Sequence, residues 1–223
     1  MAAFRVGRPT RFFVTWYRKH GRKFPWRDPQ TSPFQLLLAE FLLRRTGAAK
    51  VATVWSHFAA HYPTPQAVVA TSEERLINDL RPLGLYRQRA KALIELSRTI
   101  ITKHGGNVPT EEPDLIVLPY VGHYIASAVR VFAYGQRDVV IDGSVIRLYS
   151  RILGLGEADP QRSTRVIELA RSLVPANARD HAYGVLDFAA QVCLPGIPRC
   201  SACPLAGTAC RGFERGANPA DLV

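Results

Sequence analysis

Three groups of residues in this chain have the types and spacing to do chemistry. LPYVGHY (118–124) sets a proline and a glycine ahead of HYIASAV and reads as helix, tight turn, helix. Gly122 has access to positive φ, and Pro119 fixes the preceding turn. The amides around Val121, Gly122 and His123, at the start of the new helix, would grip a phosphate with help from the helix dipole. An ordinary helix–helix connection is the competing reading. Further on, VIDGSVIR puts one carboxylate, Asp142, at another helix start. There it either caps the helix or stabilises a nearby cation and orients water. The third group is C-x6-C-x2-C-x6-C, formed by Cys193, Cys200, Cys203 and Cys210. A structural zinc site usually offers two C-x2-C pairs, and here there is one. Four thiolates on one compact loop suit a [4Fe–4S] cluster, one cysteine per iron, in a structural role. Zinc and free thiols remain the alternatives.

The elements that must position these groups are helical. In PFQLLLAEFLLRR (33–45) the apolar residues at 34, 37, 38, 41 and 42 share one face, and Pro33 suits a first turn. Thr71 and Glu74 form a T-x-x-E capping box before a helix running to about Leu80. A longer helix over about 87–103 stops at Gly105-Gly106, and EEPDLIVLPYVG is a short helix closed by a turn. HYIASAVRVFAYG is a helix that Gly135 ends, and others follow over about 144–153, 162–173 and 181–191. DVVI (138–141) is too short to found a sheet, and no internal repeat or low-complexity linker occurs. The expected fold class is all-α.

A chain of 223 residues, 47% hydrophobic and 21% charged, builds a real core. The net charge of +11 favours a polyanionic partner, and nucleic acid is the usual one. Basic residues gather at 18–27, at Arg44-Arg45 and at 81–91. No apolar run approaches the roughly 18 residues of a membrane span, and MAAFRVGRPTRFF has no apolar core of a secretory signal. These points lead to an expected cytoplasmic, nucleoid-associated location, where a reducing environment argues against disulfides.

With hairpin, aspartate and cysteine loop together, the chain resembles the helix-hairpin-helix DNA glycosylases of the endonuclease III/MutY superfamily. WYRKHGRKFPWR and SPFQLLLAEFLLRRT look like the N-terminal part of the adenine glycosylase branch, and PLGLYRQRAKAL resembles the family's wedge loop. LPYVGHY with IDGSV matches the hairpin followed by the catalytic aspartate, and CLPGIPRCSACPLAGTAC resembles the iron–sulfur loop. The likeness runs from about Phe12 to Cys210. It implies two lobes: a six-helix barrel over 34–138 containing the hairpin, and a lobe of 1–33 and 139–223 carrying the cluster loop at 193–210. It implies double-stranded DNA with a mismatched or damaged base as partner, lying across the cleft between lobes, and a monomer. Two positions depart from the family pattern. Tyr120 stands where the hairpin usually has its first glycine, and tyrosine is a strained choice if that position needs positive φ. The last cysteine gap is six residues where five is typical.

The resemblance implies that a base is flipped out and its N-glycosidic bond broken, with Asp142 beside the developing sugar cation. Bifunctional members place a lysine at the second residue of the hairpin's second helix to form a Schiff base. That residue here is Tyr124, and none of the five lysines is near in sequence. A monofunctional enzyme is therefore expected, with Tyr124 lining the pocket. Tyrosine at this place and EFLLRRT (40–46) look like the thymine–DNA mismatch glycosylase (Mig) type, which removes thymine or uracil opposite guanine. The sequence also stops soon after Cys210, without the extra C-terminal domain of adenine glycosylases. Adenine opposite 8-oxoguanine or guanine is the alternative substrate. Glu40 matches the acid of the adenine branch, with a buried structural hydrogen bond as its other reading. Arg45 and Leu85 match the residues inserted into the duplex, Arg44 is a basic neighbour, and Trp26 either stacks on the extruded base or packs beneath it. Asp187 reads as a brace or cap for the helix before Cys193. Rival classes are a non-catalytic DNA-binding module and an iron–sulfur redox sensor.

Overall fold

The computed structural model describes residues 7–155 and 164–214. Among them there are α-helices, short 3-10 turns and loops, and no strand. The chain forms two compact units, one of Met1–Arg22 with Arg137–Val223 and one of Lys23–Gln136. Residues 23–33, assigned from the sequence to the terminal lobe, cluster with the second unit because Phe24 and Trp26 pack into its core.

The Lys23–Gln136 unit holds α2 (Pro33–Leu43), α3 (Ala48–His61), α4 (Pro65–Ala70), α5 (Glu73–Leu80), α6 (Tyr86–His104), the one-turn α7 (Glu112–Ile116) and α8 (His123–Phe132). Helix α2 starts as its sequence predicts. Pro33 is its first residue, and Ser32 and Gln35 cap each other's backbone amides at 3.2 and 3.1 Å. The helix is apolar nearly all round, because α2 runs through the centre of the unit with Leu36, Leu37, Leu38, Ala39, Phe41 and Leu42 buried. Helices α3 and α4 were not foreseen. Val51, Trp55 and Phe58 in α3 fall on one face, and all three are buried. The cap of α5 is Ser72, which accepts from Arg75 N–H, rather than Thr71. Thr71 ends α4 and donates to the Ala67 carbonyl, so the T-x-x-E pattern was off by one residue.

The other unit holds α1 (Gly7–His20), α9 (Gly143–Leu153), α10 (Thr164–Ser172), α11 (Ala178–Gln191) and the short α12 (Arg211–Glu214). The expected helix at 162–173 begins among undescribed residues, and its described part is α10. Helix α1, also unforeseen, lies along α11. A Cβ at Gly184 would meet the Phe13 carbonyl oxygen at 2.2 Å, so the close approach of these helices needs glycine there. Phe188 sits edge-on to Phe12, Phe13 and Trp16 at 5.2–5.6 Å between ring centres. Asp187 is fully buried and accepts from Arg22 at both its N–H and Nε, each at 2.7 Å. It braces α11 to the segment leaving α1.

His181, 3% exposed against Phe13, carries a testable cost. Burial pulls its imidazole down to about 4, while the unfolded chain titrates near 6.5. Between these values the unfolded state binds more protons, so stability is lost as pH falls from 6.5 towards 4. The full loss is on the order of 3 kcal/mol. His181→Phe should flatten this part of the curve of unfolding midpoint against pH. An unchanged slope would assign the acid sensitivity to other groups.

Candidate functional site

The hairpin between α7 and α8 differs from expectation in one informative way. Leu118 N–H bonds to Leu115 O at 3.1 Å and Val121 N–H to Leu118 O at 3.2 Å. The amide of Val121 is therefore spent on the turn, and its side chain is buried. Gly122 is extended at φ −100°, ψ 178°, and the left-handed residue is Tyr120 at φ 66°. The position where the turn needs positive φ is thus filled by tyrosine, at a cost of about 1 kcal/mol or more. Gly122 has no conformational need to be glycine, and a Cβ there would meet nothing within 4 Å. The first intrahelical bond of α8 is Ala126 N–H to Gly122 O at 3.0 Å, and no side chain caps the helix. The amides of its first turn point out of the helix, beside the exposed His123, whose Nδ1 lies 3.0 Å from Glu112. Tyr124 is the second residue of α8, half-buried against the core. Glu40 is buried on α2, which packs against α8.

A pocket of about 260 Å³ opens in the same unit, lined by Phe41, Arg44, Arg45, Leu85, Gln88, Arg89, Ala92 and Tyr120. Arg45 (φ 54°), Leu85 (φ 52°) and Tyr120 (φ 66°) are the described non-glycine residues with positive φ, and all three line it. Such strain persists where surrounding contacts over-determine it. Leu85 is 51% exposed despite its apolar side chain, and Arg45 is exposed beside it. Arg44 Nη1 reaches the Tyr120 carbonyl at 3.5 Å, and the Tyr120 hydroxyl donates to Glu95 at 2.7 Å. Trp26 lies elsewhere. It is 3% exposed, stacked on Phe24 at 4.8 Å and edge-on to Trp55 at 5.7 Å. Its indole has almost no surface to offer a nucleotide, so of its two readings the burial favours core packing.

Asp142 sits in the other unit as the N-cap of α9. Its Oδ1 accepts from Ser144 N–H (2.8 Å), Val145 N–H (2.9 Å) and Ser144 Oγ (2.6 Å). Among the described residues Oδ2 accepts no hydrogen bond. The two readings of this aspartate thus divide between its oxygens: one caps the helix and fixes the side chain, and the other is open for chemistry.

Helix α9 also anchors the cysteine loop. Arg147 donates to the carbonyls of Cys193 (3.0 Å) and Ala189 (3.0 Å). The buried Arg151 donates to those of Leu194 (2.7 Å) and Gly196 (3.1 Å), with Nη1 3.5 Å from Cys193 Sγ. Cys203 sulfur receives backbone N–H groups of Leu205 and Ala206, while burial raises its thiol above the ordinary value. None of the four cysteines is in a disulfide. Among the described residues no three His, Cys, Asp or Glu side chains close around a single ion. Backbone N–H groups and a buried guanidinium directed at sulfur are donors that suit anionic thiolates holding a multinuclear group. Arg147, Arg151 and Arg89 escaped the sequence reading, because arginines in a chain of charge +11 look like surface contacts.

Comparison with known proteins agrees with this geometry. The family model of the HhH-GPD superfamily base excision DNA repair protein matches residues 38–176, a stretch that includes the hairpin and Asp142. The chain is 39% identical over 201 residues to a thymine-DNA glycosylase of Aeropyrum pernix, covering 87% of this chain and 90% of that one. It is 36% identical over 195 residues to an adenine DNA glycosylase of Mycobacterium tuberculosis, covering 86% of this chain but 64% of the relative. Among solved structures, a thermostable thymine-DNA glycosylase superposes with a TM-score of 0.85 at 31% identity, over 92% of this chain and 95% of that one. An all-helical fold of the endonuclease III type, with a strained hairpin and an aspartate capping the next helix, and a family match over more than half its length place this chain in the HhH-GPD superfamily of base excision DNA repair proteins.

Proposed function

We propose that this protein is a monofunctional DNA glycosylase that removes thymine or uracil mispaired with guanine. The observation that carries the catalytic part is Asp142, held through Oδ1 with Oδ2 open. In the flipped nucleotide the C1′–N bond breaks, the base leaves with the electron pair, and positive charge grows on the sugar. The Asp142 carboxylate stabilises that cation and orients the water that adds at C1′, taking up its proton. Tyr124 takes the place of a Schiff-base lysine, so the abasic site is left uncut. Glu40, buried on α2, hydrogen-bonds the departing base.

Double-stranded DNA is held by the open amides of α8 around Gly122 and His123. The empty space before Gly122 leaves room for a phosphate to approach the backbone. Arg45 and Leu85 fill the gap left by the flipped base, with Arg44 beside them. Cys193, Cys200, Cys203 and Cys210 hold a [4Fe–4S] cluster. Its contribution is structural: it would close the loop on itself, while Arg151 ties that loop to α9, the helix that Asp142 starts. The protein acts as a monomer on the chromosome. No described helix is long and apolar enough to cross a membrane.

The preference for thymine rests on the named relatives and on tyrosine at position 124. The test is base release from duplexes carrying T:G, U:G, A:8-oxoguanine and A:G, with hot alkali to reveal abasic sites. Release at T:G or U:G, with strand breaks only after alkali, is the expected result. Release of adenine alone would move the protein to the adenine branch, and breaks without alkali would refute monofunctional chemistry.

A further inference from the structure

Arg89 lies in the first turns of α6, 7% exposed, and each polar atom it meets is uncharged. Its Nε donates to Gly84 O at 3.0 Å. Its Nη1 donates to Phe41 O at 3.3 Å and Leu42 O at 3.2 Å, and its Nη2 donates to Arg44 O and, at 2.7 Å, to Thr46 Oγ1. Burial, and then the neighbouring Arg44, hold this guanidinium below the ordinary arginine value, yet arginine keeps its charge in proteins. A buried cation without a carboxylate is costly and persists only where many acceptors converge on it.

Those acceptors form a pattern. Phe41 and Leu42 contribute last-turn carbonyls of α2, at the negative end of its dipole, where Phe41 O otherwise meets only the long bond from Arg44 N–H at 3.4 Å. Arg44 O and Thr46 Oγ1 flank Arg45, the left-handed residue at φ 54°. Gly84 O directly precedes Leu85, the left-handed residue at φ 52°. One side chain therefore fastens the end of α2 and the loop before α6 at the points beside their strained residues. A planar fork with donors on three nitrogens spans both loops, whereas a lysine ammonium is a single point.

We propose that Arg89 is the positioning residue of the insertion apparatus: its guanidinium locks the left-handed backbone at Arg45 and Leu85, so that both side chains are presented together to the duplex. This rests on the glycosylase reading for the roles of Arg45 and Leu85. Arg89 itself touches neither base nor sugar.

The test separates positioning from folding and from base chemistry. A duplex with 2-aminopurine opposite an abasic site reports wedge insertion as a fluorescence change without any bond being cleaved. Wild-type protein gives the change, and Arg89→Met loses most of it while its circular dichroism stays that of the folded protein. Single-turnover release is then compared on T:G and on uracil opposite an abasic site, a base that is already unpaired. Arg89→Met is expected to slow T:G release about 100-fold and unpaired-uracil release less than about threefold. Leu85→Ala should slow T:G release in the wild-type background and add little in Arg89→Met, because the wedge is already misplaced. Arg89→Lys recovers only part of the rate. Equal losses on both duplexes, additive Leu85→Ala, or an undiminished 2-aminopurine signal in Arg89→Met would each overturn the proposal, as would a wild-type protein without the signal. A wild-type protein that gives the signal but releases no base would refute the glycosylase reading and leave the positioning role to be decided by the signal of Arg89→Met.

Discussion

Asp142→Asn is expected to abolish base release, by on the order of 1,000-fold or more in single-turnover rate, the scale of removing a transition-state charge partner. The substitution is informative because asparagine is as good an N-cap as aspartate. Its side-chain oxygen replaces Oδ1 as acceptor for Ser144 and Val145 N–H, so α9 keeps its start. The unfolding midpoint should barely move, and only the charge at the other end of the side chain is lost. Asp142→Ala should lose both functions, with a stability cost of about 1 kcal/mol for the missing cap. A comparison of the pair thus separates the two oxygens. If Asp142→Asn retained within tenfold of the wild-type rate, Asp142 would be a cap and nothing more, and the chemistry would belong elsewhere.

On the monofunctional chemistry proposed above, Tyr124→Lys should give an enzyme that cuts abasic sites where the wild type leaves them intact. Tyr124 is the second residue of α8, where the positive end of the helix dipole disfavours an ammonium and keeps part of the lysine as neutral amine. That amine would attack C1′, displace the base, and form an imine as the sugar ring opens. Elimination of the 3′ phosphate would then break the strand. Borohydride should trap the imine as a covalent protein–DNA adduct, absent in wild type, and strand breaks should appear without alkali. The tyrosine ring packs against the core of its unit, so its loss should cost about 1–2 kcal/mol, measured as a lowered unfolding midpoint. A folded variant that binds DNA but yields no adduct would show that residue 124 does not face the sugar.

Together these variants separate the contributions of the two units. Asp142 belongs to the unit that carries the cysteine loop, and Tyr124 to the unit that carries the hairpin and the pocket.

Local patterns determined much of this protein. Helical periodicity and Gly/Pro punctuation gave the all-α class and the approximate limits of α2, α6, α8, α9 and α11, because 3.6-residue spacing and end signals act within a few residues. Asp142 at a helix start and four cysteines on one loop could be read directly, since both depend on neighbours in sequence. Helices α1 and α3 were missed although their apolar spacing is present, and the cap of α5 was misplaced by one residue because Thr71 and Ser72 are both competent caps. Tertiary structure alone decided the rest. It put the left-handed backbone at Tyr120 rather than Gly122, and it buried Trp26 beneath Phe24. It gathered Arg45, Leu85 and Tyr120, far apart in the chain, around one pocket. It also turned Arg89, Arg147 and Arg151 from apparent surface charges into internal clasps. An arginine's role depends on which carbonyls lie within reach of its guanidinium, and those carbonyls, 42 to 48 residues away for Arg89 and Phe41–Thr46 or for Arg147 and its two partners, are brought near only by the fold.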